Sequence, residues 1–192
     1  SQIIWTEDVL MYVIIDIGSN TVRMAVYNIE KDNSFNQIMS NKVSCGLAGY
    51  IEDDEMNAEG IEVMIDALKQ FRIAVDGMAH VTVFAIATAS LRELSNRDAV
   101  IKRIKDETGF EVNVISGKEE ALYDYYGITK DIGEATGMLT DCGGGSTEVS
   151  LFTGDTVIFA DTMPIGSLNS YYNHVKGIFP TEEELRDIKA DT

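Results

Sequence analysis

The sequence predicts a mixed α/β protein built from a duplicated unit, and three observations carry that expectation. Apolar strand-like runs alternate with helical patterns along most of the chain. The run 11–17 passes through Asp16 into a Gly18-Ser19-Asn20 turn. The same order returns at 138–140, where Asp141 leads into Gly143-Gly144-Gly145-Ser146.

Residues 11–17 read as a buried strand, and residues 21–29, with Val22, Met24 and Val26 on one face, as its hairpin partner. A third strand is expected over 35–43. The acidic run 52–55 reads as a solvated loop. A helix starts near Asn57, because Ile61, Met64, Ile65, Leu68, Phe71 and Val75 recur at helical spacing. Residues 80–87 read as a central strand, 96–108 as a helix stopped by Gly109, and 110–115 as the next strand. Residues 118–126 suit a short helix, and the polar, glycine-containing stretch 129–137 reads as a connection between domains. After 138–140 come a strand over 147–153, a turn at Gly154-Asp155, a strand over 156–163 and a helix over 166–176. Thr181, with Glu184 in capping-box spacing, starts a last helix. The chain thus divides into an N-terminal extension (1–10), a first domain (11–128) and the beginning of a second (137–192).

With 192 residues, 45% of them hydrophobic, the chain is long enough to bury about 70% of its unfolded surface. Thirty-two acidic against 15 basic residues give a net charge of -17, which argues against non-specific binding to nucleic acid or an anionic membrane. A polyanionic substrate would need a locally positive or metal-filled site. Cys45 and Cys142 are far apart and have no histidine cluster beside them, so neither a disulfide framework nor a zinc site is indicated, and a reducing cytoplasm is expected. The apolar run 11–15 is too short to span a bilayer, and the first ten residues lack the order of a signal peptide.

A strand that ends in Asp and enters a Gly/Ser/Asn turn exposes backbone N–H groups in a small concavity, where phosphate oxygens fit without side-chain bulk. The Asp beside it can hold a divalent cation. At Asp16 alone such a turn is shared with ordinary hairpins; its repetition at Asp141 predicts two loops that face each other across a cleft. Alone, Glu120 reads as an acid that complements a helix N-terminus. Arg92 reads either as a phosphate ligand or as a surface partner of Glu93 or another neighbour. Arg23, just past the first turn, has the same two readings. His80 and His174 lack ligand spacing, the pairs Tyr125-Tyr126 and Tyr171-Tyr172 suit packing, and Cys142 suits a small apolar filler.

Four segments in order, DIGSNTVR (16–23), ATASLR (87–92), ISGKEEA (115–121) and DCGGGSTE (141–148), resemble the exopolyphosphatase and guanosine pentaphosphate phosphohydrolase family. The resemblance runs from about Met11 to the chain end. It implies the duplicated ribonuclease H-like fold of the actin-like ATPase and sugar kinase superfamily. It also implies hydrolysis of terminal phosphate from inorganic polyphosphate or guanosine pentaphosphate, with Mg2+ or Mn2+ as cofactor. By the same resemblance Glu120 corresponds to the carboxylate that activates water, with Asp141 and Glu148 as the acids that position metal and water; Asp16, beside the first turn, is expected as a further metal ligand from its own position. Gly18, Ser19, Asn20, Arg92, Gly143, Gly144, Gly145 and Ser146 correspond to phosphate-binding positions. Phosphoanhydride hydrolysis asks for these parts: water in line, phosphates positioned and the transferred charge neutralised.

The pattern departs from the family in two places. The second unit stops well short of a full domain, so its strands are expected to be thinly packed alone and covered by another chain, as in a homodimer. Leu122 follows Ala121 where many members have Arg, which removes one phosphate or carboxylate contact. A kinase or ATPase of the same superfamily would keep both Asp-Gly loops without needing the 116–121 segment. A non-catalytic phosphate or nucleotide sensor would keep the loops without turnover.

Overall fold

The computed structural model describes residues 10–30, 32, 34–132 and 135–191. Of the expected N-terminal extension only Leu10 is among them. Strand β1 (Leu10–Ile17) pairs antiparallel with β2 (Thr21–Ile29) in a register that sets Asp16 opposite Arg23, and the Gly18 amide closes the turn on the Thr21 carbonyl at 3.0 Å. Strand β3 (Phe35–Ser44) extends the hairpin. The acidic run is itself a minimal hairpin, β4 (Ile51–Glu52) and β5 (Glu55–Met56), in which Asp53 and Asp54 both take the left-handed conformation at φ 50 and 60. That is the backbone a two-residue hairpin turn demands, and Asp tolerates it better than most side chains.

Helix α1 (Ala58–Asp76) begins where expected, because the Asn57 side chain accepts the Gly60 amide at 3.0 Å. Its stripe of Met64, Ile65, Leu68, Phe71 and Val75 is buried against Val13, Ile15 and Ile17, the inward alternate residues of β1. Asn57→Ala should lower stability by about 1 kcal/mol, read as a lower midpoint in thermal or urea unfolding with an unchanged fold.

Strand β6 (Val81–Ala87) joins parallel to β1. A short helix α2 (Ala89–Arg92) and α3 (Arg97–Thr108) lead to the parallel strand β7 (Val112–Val114), which completes the order β3-β2-β1-β6-β7. Gly109 ends α3 at φ 71, donating to the Lys105 carbonyl.

Helix α4 (Gly117–Ile132) differs from expectation in length and in allegiance. Its start is fixed by a capping box: the Ser116 amide donates to Glu119 Oε2 at 2.8 Å, and the Glu119 amide to Ser116 Oγ at 3.2 Å. It runs through much of the stretch read as a connection, since Ala121 and Tyr125 give it a buried face. That face lies on a second sheet, of β8 (Thr136–Cys142), β9 (Thr147–Thr153) and β10 (Thr156–Met163) in the order β10-β9-β8. Tyr125 lies 5.2 Å from the Phe152 ring and donates its hydroxyl to the Gly154 carbonyl, and Ser150 Oγ donates to the Ala121 carbonyl. Although most of α4 lies within 11–128, its buried contacts are with this sheet.

The β8–β9 hairpin repeats the first. Gly143 closes its turn on the Ser146 carbonyl at 2.9 Å, and Asp141 faces Glu148 across the pair. Helices α5 (Ser167–His174) and α6 (Glu182–Asp191) follow, the latter under the expected Thr181–Glu184 capping box. The outer surface of this part is thinly packed, as expected: Met138 is 66% and Ile158 67% exposed, and neither helix holds a buried residue.

Candidate active site

The two glycine turns share a backbone logic. In the first, the Asn20 carbonyl accepts from the Cys45 and Gly46 amides at 2.9 and 2.8 Å, and the Ser19 carbonyl from Ala48 at 3.0 Å. In the second, the Gly143 carbonyl accepts from the Ser167 amide at 2.9 Å and the Gly144 carbonyl from Leu168 at 2.8 Å, while Asn169 Nδ2 donates to the Gly145 carbonyl at 2.8 Å. The scaffold thus takes the carbonyls. The amides of Ser19, Asn20, Gly144 and Gly145 have no protein acceptor among the described residues.

The turns also meet. A Cβ added to Gly145 would overlap Ser19 Oγ and lie 3.1 Å from Ala89 Cβ, so any side chain there would force Ser19 to turn away and Ala89 to give. One cleft is lined by Asp16, Gly18, Ser19, Asn20 and Thr21 on one side and by Gly143, Gly144, Gly145 and Ser146 on the other. Thr88, Ala89 and Glu120 complete its wall. The segment carrying Thr88 and Ala89 is tied to the first turn by Ser90, whose hydroxyl donates to the Ile17 carbonyl at 2.5 Å.

Glu120 lines the cleft, whereas Glu119 beside it is held in the helix cap, where the hydrogen bonds from Ser116 keep it below the usual carboxylate range. Burial pushes Glu120 up to about 7, helped by the negative charge of Glu148 and opposed by Arg92. Asp124, one helical turn on, is pushed up to about 6 by burial and then by Asp141, Glu148 and Asp16. Its Oδ2 is buried without a hydrogen-bond partner. Burial also raises Asp16, against the pull of Arg23. Four strands and helices therefore direct five carboxylates toward one region, and their mutual repulsion helps burial to raise Glu120 and Asp124.

Not every expected residue enters the cleft. Arg92 donates Nε to the Ile115 carbonyl at 3.0 Å and Nη2 to Glu120 Oε2, so in this state its guanidinium holds the carboxylate rather than lining the cleft. Glu148 is 3% exposed and accepts from Thr162 Oγ1 at 2.7 Å; Asp141 is exposed on β8, opposite Glu148. Neither touches the cleft surface. Cys142, read as an apolar filler, is exposed, because β8 is an edge strand with an open flank. Thr21, Thr88, Ala89, Asp124 and Thr162 were not singled out. Asp124 was detectable from its i+4 spacing to Glu120, and Thr88 and Ala89 from their place in the 87–92 segment.

The model of the Ppx/GppA phosphatase family matches residues 25–191. Exopolyphosphatase 1 of Mycobacterium tuberculosis is 26% identical over 157 residues, covering 80% of this chain and 46% of that protein. A guanosine-5'-triphosphate,3'-diphosphate pyrophosphatase of Photobacterium profundum is 30% identical over 177 residues, covering 91% of this chain and 35% of that protein. The crystal structure of an exopolyphosphatase from Cytophaga hutchinsonii superposes with a TM-score of 0.83 at 28% identity, over 93% of this chain and 57% of that one. The chain spans less than half the length of these curated relatives. The chain belongs to the Ppx/GppA phosphatase family and shares the fold of the solved members of that family.

Proposed function

We propose that this chain carries the catalytic cleft of a phosphohydrolase that releases terminal phosphate from inorganic polyphosphate or guanosine pentaphosphate by attack of water. The observation that carries the reading is the convergence of Glu120, Asp16 and both glycine turns on one cleft, with four turn amides left without protein acceptors. The amides of Ser19, Asn20, Gly144 and Gly145 bind the phosphate oxygens, as backbone concavities do. Glu120, with its proton affinity raised to near neutrality, takes a proton from the attacking water. Arg92 is poised to exchange Glu120 for a substrate oxygen, which would free the base as the phosphate arrives.

A divalent cation fits the residues present. Among the described residues no three acidic, His or Cys side chains converge tightly enough to grip a metal by themselves. Magnesium commonly uses only one or two carboxylates, with substrate phosphate and water completing its shell. The orphaned Asp124 Oδ2 and the repulsion among Asp16, Asp124, Asp141 and Glu148 mark where positive charge is wanted. Asp141, Glu148 and Asp16 would hold Mg2+ or Mn2+, which supplies Lewis-acid neutralisation of the phosphate charge. No helix among the described residues is long and apolar enough to cross a membrane, and a reducing cytoplasm remains part of this reading.

Phosphate release from polyphosphate and from guanosine pentaphosphate, with and without Mg2+, tests the proposal. The expected result is Mg2+-dependent release from at least one of them, abolished by chelator. Binding of either without release would point to a sensor. Transfer of phosphate from ATP to an acceptor, with neither substrate hydrolysed, would overturn the hydrolase reading in favour of a kinase.

A further inference from the structure

Glu148 is the most deeply buried carboxylate of the cluster, and its one hydrogen bond among the described residues comes from Thr162, its cross-strand partner on β10. The same threonine touches the other half of the chemistry. Gly117, the first residue of α4, packs so closely on Thr162 that a Cβ built there would fall inside the threonine methyl, and it would lie 3.0 Å from Arg92 Nη1. Gly117 begins the helix that carries Glu120, three residues further on. A β-branched side chain on a strand is stiff about χ1, so directing the hydroxyl to Glu148 fixes where the methyl points. Serine would keep the first contact and lose the second; valine would do the reverse.

We propose that Thr162 is a positioning residue for the hydrolysis: its hydroxyl orients the buried Glu148 carboxylate while its methyl, lodged against Gly117, sets the start of the helix that presents Glu120. One side chain thereby fixes the spacing between the acid directed at the cation and the base directed at water. The inference rests on the phosphohydrolase reading of the site and adds a residue to it. Partners of this kind, one bond removed from the metal, are worth about 10- to 100-fold in metal affinity or activity.

The test compares Thr162→Val and Thr162→Ser with the parent protein in three measurements: Mn2+ binding by calorimetry in the presence of inorganic phosphate, kcat and KM for phosphate release, and the thermal midpoint. Thr162→Val should bind Mn2+ about 10- to 100-fold more weakly and lose kcat to a similar degree, with KM for the phosphate chain little changed and the midpoint close to the parent's. Thr162→Ser should keep most of the Mn2+ affinity and recover most of the rate. Parent-like Mn2+ binding and kcat in Thr162→Val would overturn the assignment while leaving the hydrolase reading intact. So would equal losses in both variants that track a fall in thermal midpoint, because that pattern belongs to packing alone. A parent that neither binds Mn2+ nor releases phosphate sinks the functional reading, and this assignment with it.

Discussion

Glu120→Gln should lower phosphate release about 10²- to 10⁴-fold while substrate affinity stays nearly unchanged, the loss expected when a general base is removed. The amide keeps the shape of the side chain and can still meet Arg92, but it cannot accept a proton. The role is exercised mainly in the transition state, so KM should survive. The parent rate should climb with pH through about 7, because burial and the charge of Glu148 hold Glu120 protonated below that point. Stability should move the opposite way. A carboxyl whose folded pKa is raised from 4.5 to about 7 contributes stability that is fully present below the lower value and lost as pH rises through the upper one. Thermal midpoints from pH 4.5 to 8 should therefore fall less steeply for Glu120→Gln than for the parent. A variant that hydrolyses at close to the parent rate would move the base to Glu148, since Glu119 is committed to the cap of α4.

Gly145→Val should cost about 100-fold or more in turnover, with little change in the unfolding midpoint. A displacement of about 1 Å in a positioning group is enough for such a loss. Even one carbon at this site collides with Ser19 Oγ and crowds Ala89, so a branched side chain must push the two turns apart. The turns are at the surface of the cleft, and the core of α1 and β1 is not involved, which is why the fold should tolerate the change. Phosphate-release kinetics beside a thermal melt check both halves. Full activity in Gly145→Val would mean that the contact between the turns is not needed for the reaction.

The parts of the fold that could be read in the sequence are those whose cause is local. The stripe on α1, the alternation in β1, the stop at Gly109 and the Thr181–Glu184 box each follow from neighbours a few residues apart. The length of α4 could not be read this way. Its polar second half is stabilised by Tyr125 against Phe152 and by the hydroxyl bond to Gly154, contacts nearly 30 residues distant that no local pattern announces. Short-range competition also hid the hairpin at Asp53-Asp54, where acidic composition suggested a loop and only backbone dihedrals reveal a turn.

Within the candidate site the repeated Asp-Gly turns marked both halves, because the same backbone problem was solved twice with the same residue types. The placement of Arg92 was open between a phosphate and an acid. The structure gives it Glu120, a residue 28 positions away on α4, which no local pattern pairs with it. Asp124 and Thr162 escaped for the same reason. Each is an ordinary polar residue in its own element; the packing of α4 on the second sheet brings Asp124 near Asp141 and Glu148, and the β9–β10 pairing sets Thr162 against Glu148.

The carbonyls of both turns are committed to distant backbone and to Asn169, and the free donors are peptide groups. Such donors are not encoded by any side chain. Apart from proline, or a side chain too large for the glycines, no single substitution within the turns deletes one. On the proposed reading, anion binding would rest on backbone donors that substitutions outside the glycines leave in place, while Glu120, Asp124 and Arg92 around them could change. A lineage could then exchange one phosphorylated substrate for another, or lose turnover altogether, without altering those donors.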